Sequence, residues 1–312
     1  MEHGAESLSC LSYFAMRYAL CPYAMMSFQM DPNQKVVYSI IEKRVKGTRK
    51  KGEGPYSLIA SLDLRAREVI SLVGAGGKTT LMFRLARELL LAGKKVVTTT
   101  TTKIMEPSSE ETPCLFVHSD EEKLKQLALQ HIDQFRHVTL AAERIESIKL
   151  KGISPGLVGL LCNSPEIDMV IIEADGAAGR PVKAPREWEP VIPPSSTLVI
   201  GILGVDGAGK ELNEENLFQA GRISELTSTP MGEKMTCEGM AILVVHPQGI
   251  FKGTPHSSRR VAFINKVDVP EGMIWGREIG KEILKKGFPQ IERVILGQLK
   301  SELPVAEVVF RK

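Results

Sequence analysis

Paired cysteines are what this 312-residue sequence most clearly lacks. It has five cysteines, and none belongs to a C-x-x-C pair of the kind that redox motifs and zinc sites use. They are scattered along the chain, at Cys10, Cys21, Cys114, Cys162 and Cys237. We therefore predict reduced thiols in a cytoplasmic protein, with Cys114 and Cys162 acting as small buried apolar side chains.

A large excess of one charge is also missing. The 40 lysines and arginines nearly balance the 37 aspartates and glutamates, which leaves a net charge of +3. Basic residues do not interleave with aromatic ones in any stripe, so the sequence argues against a nucleic-acid partner.

No clean membrane span is present either. The apolar stretch from Leu8 to Met30 is interrupted by Arg17 and Pro22 and falls short of a transmembrane helix. It has no basic start and no small-residue cleavage site, which argues against a signal peptide. We expect no membrane partner.

Residues 1–55 differ from the rest of the chain. They are rich in methionine, have poor periodicity apart from one short predicted strand from Val36 to Ile41, and end in a basic run from Lys43 to Lys51. Three interpretations stay open: a start codon placed too far upstream, a disordered basic tail, or an accessory segment. We favour the first two, and predict a nucleotide-binding domain over residues 56–312.

The stretch from Val69 to Thr80 joins an apolar run, a glycine-rich turn and a Lys-Thr-Thr sequence that begins a helical pattern. Glycines let backbone N–H groups approach a phosphate, the helix N-terminus adds partial positive charge, and the lysine adds a full one. This order predicts a P-loop with Lys78 as a catalytic residue and Thr79 as a Mg²⁺ ligand. The predicted phosphate-binding residues are Gly74, Ala75, Gly76, Gly77, Lys78, Thr79 and Thr80.

The spacing of the glycines departs from the standard G-x-x-x-x-G-K-[ST] pattern, whose first glycine would fall on Leu72. Here Gly74 lies only three residues before Gly77, a spacing similar to the G-T-x-G-K-T-T loop of Mur-type amide ligases. A ligase or kinase chemistry therefore stays open beside simple hydrolysis.

The alternation of apolar runs and helical patterns predicts an α/β fold of the P-loop NTPase type, with a mostly parallel sheet flanked by helices. Towards the C-terminal half, the pattern predicts two helices and one strand. The helices cover Asn213 to Leu226 and Pro230 to Cys237, and the strand covers Met240 to Val245.

A second motif, Met169 to Arg180, runs from four apolar residues into Glu173 and Asp175. This pattern is typical of a Walker B strand, whose acid holds Mg²⁺ directly or through water. Residues two apart on a strand share a face, so we predict both carboxylates as metal ligands and catalytic residues.

A third motif, Asn265-Lys266-Val267-Asp268, follows an apolar run and matches the N-K-x-D sequence that recognises guanine. An aspartate accepts hydrogen bonds from guanine N1–H and the 2-amino group, a donor pair that adenine lacks. We predict base binding by Asn265, Lys266 and Asp268, with GTP favoured over ATP and Mg²⁺ as cofactor.

Candidate substrate residues come from three further places. The threonine run from Thr98 to Thr102 leads into Lys103, and a loop with two glycines and two prolines contains Lys252. Arg180 and Lys183 follow the Walker B acids. We predict that an anionic substrate contacts Thr102, Lys103, Arg180, Lys183 and Lys252.

These motifs together resemble the YqeC family, described as accessory proteins of selenium-dependent hydroxylases. The resemblance covers about residues 56–312. It is carried by V-G-A-G-G-K-T-T-L-M (73–82), T-K-I (102–104), I-I-E-A-D-G-A-A-G-R-P-V-K-A-P (171–185), H-P-Q-G-I-F-K-G-T-P (246–255) and I-N-K-V-D (264–268). One departure is L-F-Q-A-G-R (217–222), where a His-Arg-Pro sequence is expected; Arg222 keeps the arginine, without the histidine.

The resemblance implies a cytoplasmic P-loop NTPase that acts in the maturation of selenium-dependent molybdenum hydroxylases. Three functions stay open. The first is a nucleotide-hydrolysing accessory protein, the second a ligase or kinase that activates a substrate, and the third a non-enzymatic, nucleotide-gated chaperone for a client molybdenum hydroxylase.

Overall fold

Strands and helices alternate along the described residues, which are 57–145, 148–286 and 291–310 of a computed structural model. In chain order the elements are α1 (Leu58–Leu62), β1 (Glu68–Gly74), α2 (Lys78–Leu91), β2 (Val96–Thr100), β3 (Lys103–Met105), β4 (Leu115–Val117), α3 (Glu121–Phe135), β5 (His137–Ala141), β6 (Glu143–Ile145), β7 (Lys149–Lys151), α4 (Pro155–Asn163), β8 (Met169–Glu173), β9 (Leu198–Gly204), a 3₁₀ turn (Val205–Gly207), α5 (Ala220–Thr227), α6 (Cys237–Val245), β10 (Arg259–Asn265), α7 (Gly272–Lys285), β11 (Ile291–Gly297) and β12 (Val305–Phe310).

Nine of the strands form one sheet in the order β12-β11-β10-β9-β1-β8-β2-β5-β4. All neighbouring pairs are parallel except β11 and β12, which are antiparallel. A mostly parallel sheet covered by helices is the fold that the sequence predicted, and the prediction of a P-loop α/β fold is confirmed.

The central strands are buried on both faces, because each face packs against helices. Along β1, Ile70 and Leu72 belong to a core shared with α1 and α2, whereas Val73 belongs to a core shared with α5, α6 and α7. This two-sided burial explains why the sequence shows continuous apolar runs instead of alternation.

The register of the sheet brings the three sequence motifs to one edge. Leu72 of β1 pairs with Glu173 of β8, Gly74 of β1 pairs with Ile202 of β9, and Asn265 of β10 pairs with Gly204 of β9. In open parallel sheets, ligands bind beyond the carboxyl ends of the strands. The loops that follow β1, β8 and β10 therefore face the same crevice.

A second, three-stranded antiparallel sheet, in the order β3-β7-β6, lies after the end of β2. The threonines of β2 are part of the main sheet and are buried. Thr98 Oγ1 lies 2.7 Å from Thr139 Oγ1, and Thr99 donates to the carbonyl of Leu140 at 2.8 Å. These threonines tie strands together.

The predicted strand from Met240 to Val245 is wrong, because these residues belong to helix α6. A short, fully apolar run fits a buried helix as well as a buried strand. The helix is favoured here by its N-cap, since the hydroxyl of Thr236 accepts a hydrogen bond from the Gly239 N–H at 3.0 Å.

The predicted helix from Asn213 to Leu226 is confirmed in its second half and wrong in its first half, since α5 covers Ala220–Thr227. The Asn213 side chain caps a local turn by accepting from the Asn216 N–H at 3.0 Å. The predicted helix from Pro230 to Cys237 is also wrong. Its residues form turns that a β-bridge between Glu211 and Lys234 holds in place.

The three cysteines among the described residues are free thiols. Cys114 is buried as predicted, and Cys162 is half-buried, because it lies on α4 at the surface of the domain. No helix in the described ranges is both long and apolar enough to cross a membrane. Cys10, Cys21 and the predicted strand from Val36 to Ile41 lie outside the described residues.

Candidate functional site

The turn between β1 and α2 is a tight loop that only glycine fits at two positions. Gly76 has φ of +82°, and a Cβ on it would lie 2.3 Å from the Gly204 nitrogen. Gly77 has φ of +138°, and a Cβ there would lie 2.4 Å from Asn265 Nδ2. Both the backbone conformation and the close neighbours therefore require glycine.

The N-terminus of α2 carries four unused donors. Among the described residues, the N–H groups of Gly77, Lys78, Thr79 and Thr80 donate to no protein acceptor, as expected for the first turn of a helix. No side chain caps this helix. Four N–H groups beside the positive end of a helix dipole form an anion-binding site of the kind that holds phosphates.

The first half of the loop has a different role from the one predicted. The Gly74 N–H donates to Asp175 Oδ2 at 3.0 Å, and the Ala75 N–H donates to the Ile202 carbonyl at 2.9 Å. The Gly76 N–H donates to the Arg180 carbonyl at 3.1 Å. Gly74 and Ala75 do not line the cavity described below, and their bonded N–H groups anchor the loop.

The side chain of Lys78 lies among three oxygen-bearing groups. Its Nζ donates to the Gly74 carbonyl at 2.6 Å and lies 3.2 Å from Asp175 Oδ1 and 3.8 Å from Glu173 Oε1. Burial alone would lower the pKa of Lys78, but the carboxylates of Asp175 and Glu173 outweigh it and raise the pKa. Lys78 is therefore held as a cation at the head of α2.

Thr79 and Glu173 are arranged as a pair of hard oxygen donors. Thr79 Oγ1 donates to Glu173 Oε2 at 2.7 Å, and both residues line the cavity. Burial raises the pKa of Glu173, and the charge of Lys78 and the hydrogen bond from Thr79 lower it in part. Mg²⁺ prefers such ligands and takes only one or two from the protein when phosphates supply the others. Thr79 and Glu173 fit this ion, although the described residues contain no cluster of three His, Cys, Asp or Glu side chains.

Asp175 does not suit the predicted role of metal ligand. Its Oδ1 faces Lys78, and its Oδ2 accepts from the Gly74 N–H and lies 3.1 Å from Lys183 Nζ. Asp175 is 1% exposed and lies outside the cavity lining. Both oxygens already serve two lysines and the loop backbone, so this carboxylate holds the P-loop in position.

The N-K-x-D turn begins beside the P-loop and lines the cavity. Asn265 Nδ2 donates to the Gly76 carbonyl at 2.8 Å, and Asn265 Oδ1 accepts from the Leu299 N–H at 3.1 Å. Asn265 therefore ties the P-loop to the loop after β11, which is a supporting position. Lys266, with φ of +68°, pairs with Asp206 at 2.8 Å, and Asp268 is exposed at the cavity wall.

The candidate substrate residues divide into two groups. Lys103 and Arg180 line the cavity. Thr102, Lys183 and Lys252 do not line it. Lys183 is fully buried and binds Glu189 at 2.7 Å, because the loop after β8 folds over it. Lys252 donates to the carbonyls of Arg186 and Glu187 at 3.1 and 2.6 Å.

One cavity of about 900 Å³ joins these features. Sequence reasoning missed several of its residues, because they come from segments that only the tertiary fold brings together. Arg186 follows the motif that ends at Pro185, but Phe218 and Lys300 carry no local signal. The lining is Gly76, Gly77, Lys78, Thr79, Thr80, Lys103, Ile104, Met105, Lys149, Glu173, Gly176, Ala177, Ala178, Gly179, Arg180, Arg186, Phe218, Asn265, Lys266, Asp268, Val269, Leu299 and Lys300.

Two solved structures resemble the chain distantly. One is the crystal structure of FtsY from Mycoplasma mycoides, with 13% identity, a TM-score of 0.35, and coverage of 88% of this chain and 72% of that one. The other is the 54 kDa signal recognition particle protein from Aeropyrum pernix K1 in complex with GDP. It shows 15% identity and a TM-score of 0.29, and the match covers 94% of this chain but 47% of that one.

Sequence relatives are closer. A family model described as "YqeC protein" matches residues 70–221, which include the P-loop and the strand of Glu173. The "Uncharacterized protein YqeC" of Escherichia coli (strain K12) is 34% identical over 253 residues, and the match covers 81% of this chain and 96% of that protein. The resemblance predicted from the motifs is confirmed, and this chain belongs to the YqeC family.

Proposed function

We propose that this protein binds a nucleoside triphosphate together with Mg²⁺ and hydrolyses its terminal phosphoanhydride bond. The observation that carries the proposal is a set of four N–H groups at the start of α2, from Gly77 to Thr80, that donate to no acceptor in the described part of the chain. Lys78 and the Thr79–Glu173 pair lie at the same place and supply the charge and the metal ligands.

The residues would act mainly by positioning and by stabilising charge. The four N–H groups bind phosphate oxygens, and Lys78 moves from the Gly74 carbonyl towards the terminal phosphate, where charge develops. Thr79 and Glu173 would hold Mg²⁺, which supplies further positive charge at the phosphates. Asp175 and Lys183 are positioning residues, because they fix the loop and the resting place of Lys78.

We propose GTP as the favoured nucleotide. Asp268 supports this choice, since it is exposed and lines the cavity. A carboxylate there accepts from both the N1–H and the 2-amino group of guanine, and adenine offers no such pair.

Replacing Asp268 with Asn tests the base assignment. The variant should bind GTP at least about tenfold more weakly, because one acceptor becomes a donor facing the 2-amino group. Binding of ATP should stay within about twofold of wild type, since adenine gains nothing from the carboxylate. Xanthosine triphosphate should bind the variant better than wild type, because its 2-oxo group accepts from the new amide. Fluorescent-nucleotide titration measures all three.

A matched control is Glu271→Gln, which removes a nearby exposed carboxylate from outside the cavity lining. It should leave all three affinities unchanged. Equal binding of GTP and ATP by the wild-type chain would remove the guanine assignment while leaving the P-loop proposal intact.

We also propose, from membership of the family, a cytoplasmic accessory role in the maturation of selenium-dependent molybdenum hydroxylases. The three free thiols are compatible with a reducing compartment. A client hydroxylase should co-purify with the protein in the presence of a non-hydrolysable GTP analogue and not in its absence. Capture that ignores the nucleotide, or no capture at all, would argue against this role.

A ligase or kinase chemistry is the second candidate, and the short spacing between Gly74 and Gly77 favours it. In that case nucleotide turnover should depend on an added small-molecule acceptor. Fast turnover of GTP by the purified protein alone would support simple hydrolysis instead.

A further inference from the structure

The cavity beside the P-loop carries more positive charge than a nucleotide needs. Seven lysine and arginine side chains line it against two carboxylates, those of Glu173 and Asp268. Apart from contacts with aromatic rings, three of the seven have partners within the protein: Lys78 with the P-loop acids, Lys266 with Asp206, and Lys149 with a further group. Four cations remain for ligands.

Within the described residues, none of these four cations forms an ion pair. They are Lys103, Arg180, Arg186 and Lys300. Lys300 directly follows Leu299, whose N–H binds Asn265, so it belongs to the base side of the cavity. The other three come from the start of β3 and from the loop after β8.

Arg186 is held in a fixed position by aromatic contacts. Its guanidinium lies 5.0 Å from the centre of the Phe218 ring and 5.7 Å from that of Trp188. Its own backbone N–H donates to Glu189 Oε2 at 3.2 Å. A guanidinium stacked on rings keeps its in-plane N–H donors available, which suits a carboxylate or a phosphate.

Phe218 is itself fixed, so the stacking surface is preorganised. Its N–H donates to the Val182 carbonyl at 3.0 Å, and its carbonyl accepts from the Ala184 N–H at 3.3 Å. The Phe218 ring also contacts the buried Lys183, whose Nζ lies 5.5 Å from the ring centre. Supporting contacts of this kind hold a binding group in one geometry.

Arg180 connects this region to the phosphate site. Its carbonyl accepts the Gly76 N–H, so its side chain starts from a backbone in direct contact with the P-loop. It is half-buried and lines the cavity. Arg180 and Arg186 thus line the same cavity as the N–H groups at the start of α2.

We propose that Lys103, Arg180 and Arg186 form a subsite for a second, anionic small molecule that carries a carboxylate or a phosphate group. The three residues line the same cavity as the N–H groups at the start of α2. The cavity volume of about 900 Å³ is near the upper end of the roughly 300–1,000 Å³ of single small-molecule sites. The proposal rests on the proposed function, because it takes the P-loop to be occupied by a nucleotide.

Trp188 provides the readout, since the residue is 70% exposed and its ring contacts Arg186. The full chain is saturated with a non-hydrolysable GTP analogue and Mg²⁺, and is titrated with inorganic phosphate or with malonate. Chloride at the same ionic strength is the reference. We expect a saturable change in tryptophan fluorescence with one or both anions, and a response to one alone identifies the ligand as a phosphate or a carboxylate.

The variants Arg186→Gln and Arg180→Gln should bind the anion about tenfold more weakly, the usual effect of losing a charged hydrogen bond. Arg277→Gln removes an arginine that pairs with Glu307 on the surface, and it should not change the titration. Trp188→Phe, which keeps Trp275, should lose the signal.

Two results would overturn the subsite. One is a response no larger than that to chloride. The other is competition, in which the anion weakens binding of the GTP analogue, because that would place the anion on the P-loop itself. The affinity for the GTP analogue is measured separately on the same sample. Failure to bind the GTP analogue would refute the proposed function, whereas normal nucleotide binding without an anion response would refute only the subsite.

Discussion

Replacing Lys78 with Ala should lower nucleotide hydrolysis by at least about a hundredfold, the usual effect of removing one charge-stabilising group from a preorganised site. Lys78 is the first residue of α2, and its Nζ lies close to both Asp175 and Glu173. Its own backbone N–H is one of the four at the start of α2 that donate to no acceptor among the described residues. Without Lys78, the two buried carboxylates would repel a triphosphate. Release of inorganic phosphate from GTP measures the rate, and fluorescent-nucleotide titration measures the binding.

The folding of this variant has to be checked, because Lys78 also neutralises buried acids and its loss could destabilise the protein. Urea denaturation defines the conditions in which the variant is fully folded, and rates are compared only there. Lys95→Ala removes a half-buried lysine that lies outside the cavity lining and pairs with Asp133, and it should keep the wild-type rate. A folded Lys78→Ala protein that hydrolyses GTP as fast as wild type would contradict the P-loop assignment.

Replacing Lys183 with Met should lower the free energy of unfolding by about 3–5 kcal/mol, the usual cost of leaving buried charges without their partner. Lys183 is fully buried, and its Nζ contacts Asp175, Glu189 and the Gly176 carbonyl at 3.1, 2.7 and 2.6 Å. The difference in the free energy of unfolding between wild type and Lys183→Met should narrow as the pH falls towards 5. Burial would raise the pKa of Glu189, and Lys183 at present holds that pKa below its usual value. Without Lys183 the carboxyl would take up a proton, and acid would then favour the folded variant.

Lys252→Met is the matched control for Lys183→Met, because the Lys252 amine donates only to the carbonyls of Arg186 and Glu187 at a half-buried position. It should lower the free energy of unfolding by about 1 kcal/mol or less. Urea denaturation at several pH values measures both variants. Wild-type stability of Lys183→Met would show that Lys183 is not the cation that balances the buried acids.

Much of the fold could be predicted from the sequence, because its signals are local. The run from Val69 to Val73 is apolar on both faces, the glycines that follow require a turn, and α2 has a regular apolar stripe. The secondary structure of the run from Met240 to Val245 could not be predicted from the local sequence, since its residues suit a helix or a strand equally. The Thr236 cap and the packing of α6 against α7 determine its structure.

The site was predictable only in part for the same reason. Gly77, Lys78, Thr79 and Glu173 lie in motifs whose spacing alone indicates phosphate and Mg²⁺. The buried position of Lys183 depends on its contacts with Asp175 and Glu189, and a lysine in a proline-rich loop normally predicts exposure. The stacking of Arg186 on Phe218 joins residues that are distant in sequence, so no local pattern could indicate it.

The most direct test of the central claim is isothermal titration calorimetry of the full chain with non-hydrolysable analogues of GTP and ATP, each with and without Mg²⁺. The arrangement of Gly77 to Thr80, Lys78 and Glu173 predicts one nucleotide per chain, tighter binding in the presence of Mg²⁺, and a preference for the GTP analogue. No binding of either nucleotide to the folded protein would contradict the claim that this loop holds a nucleotide phosphate.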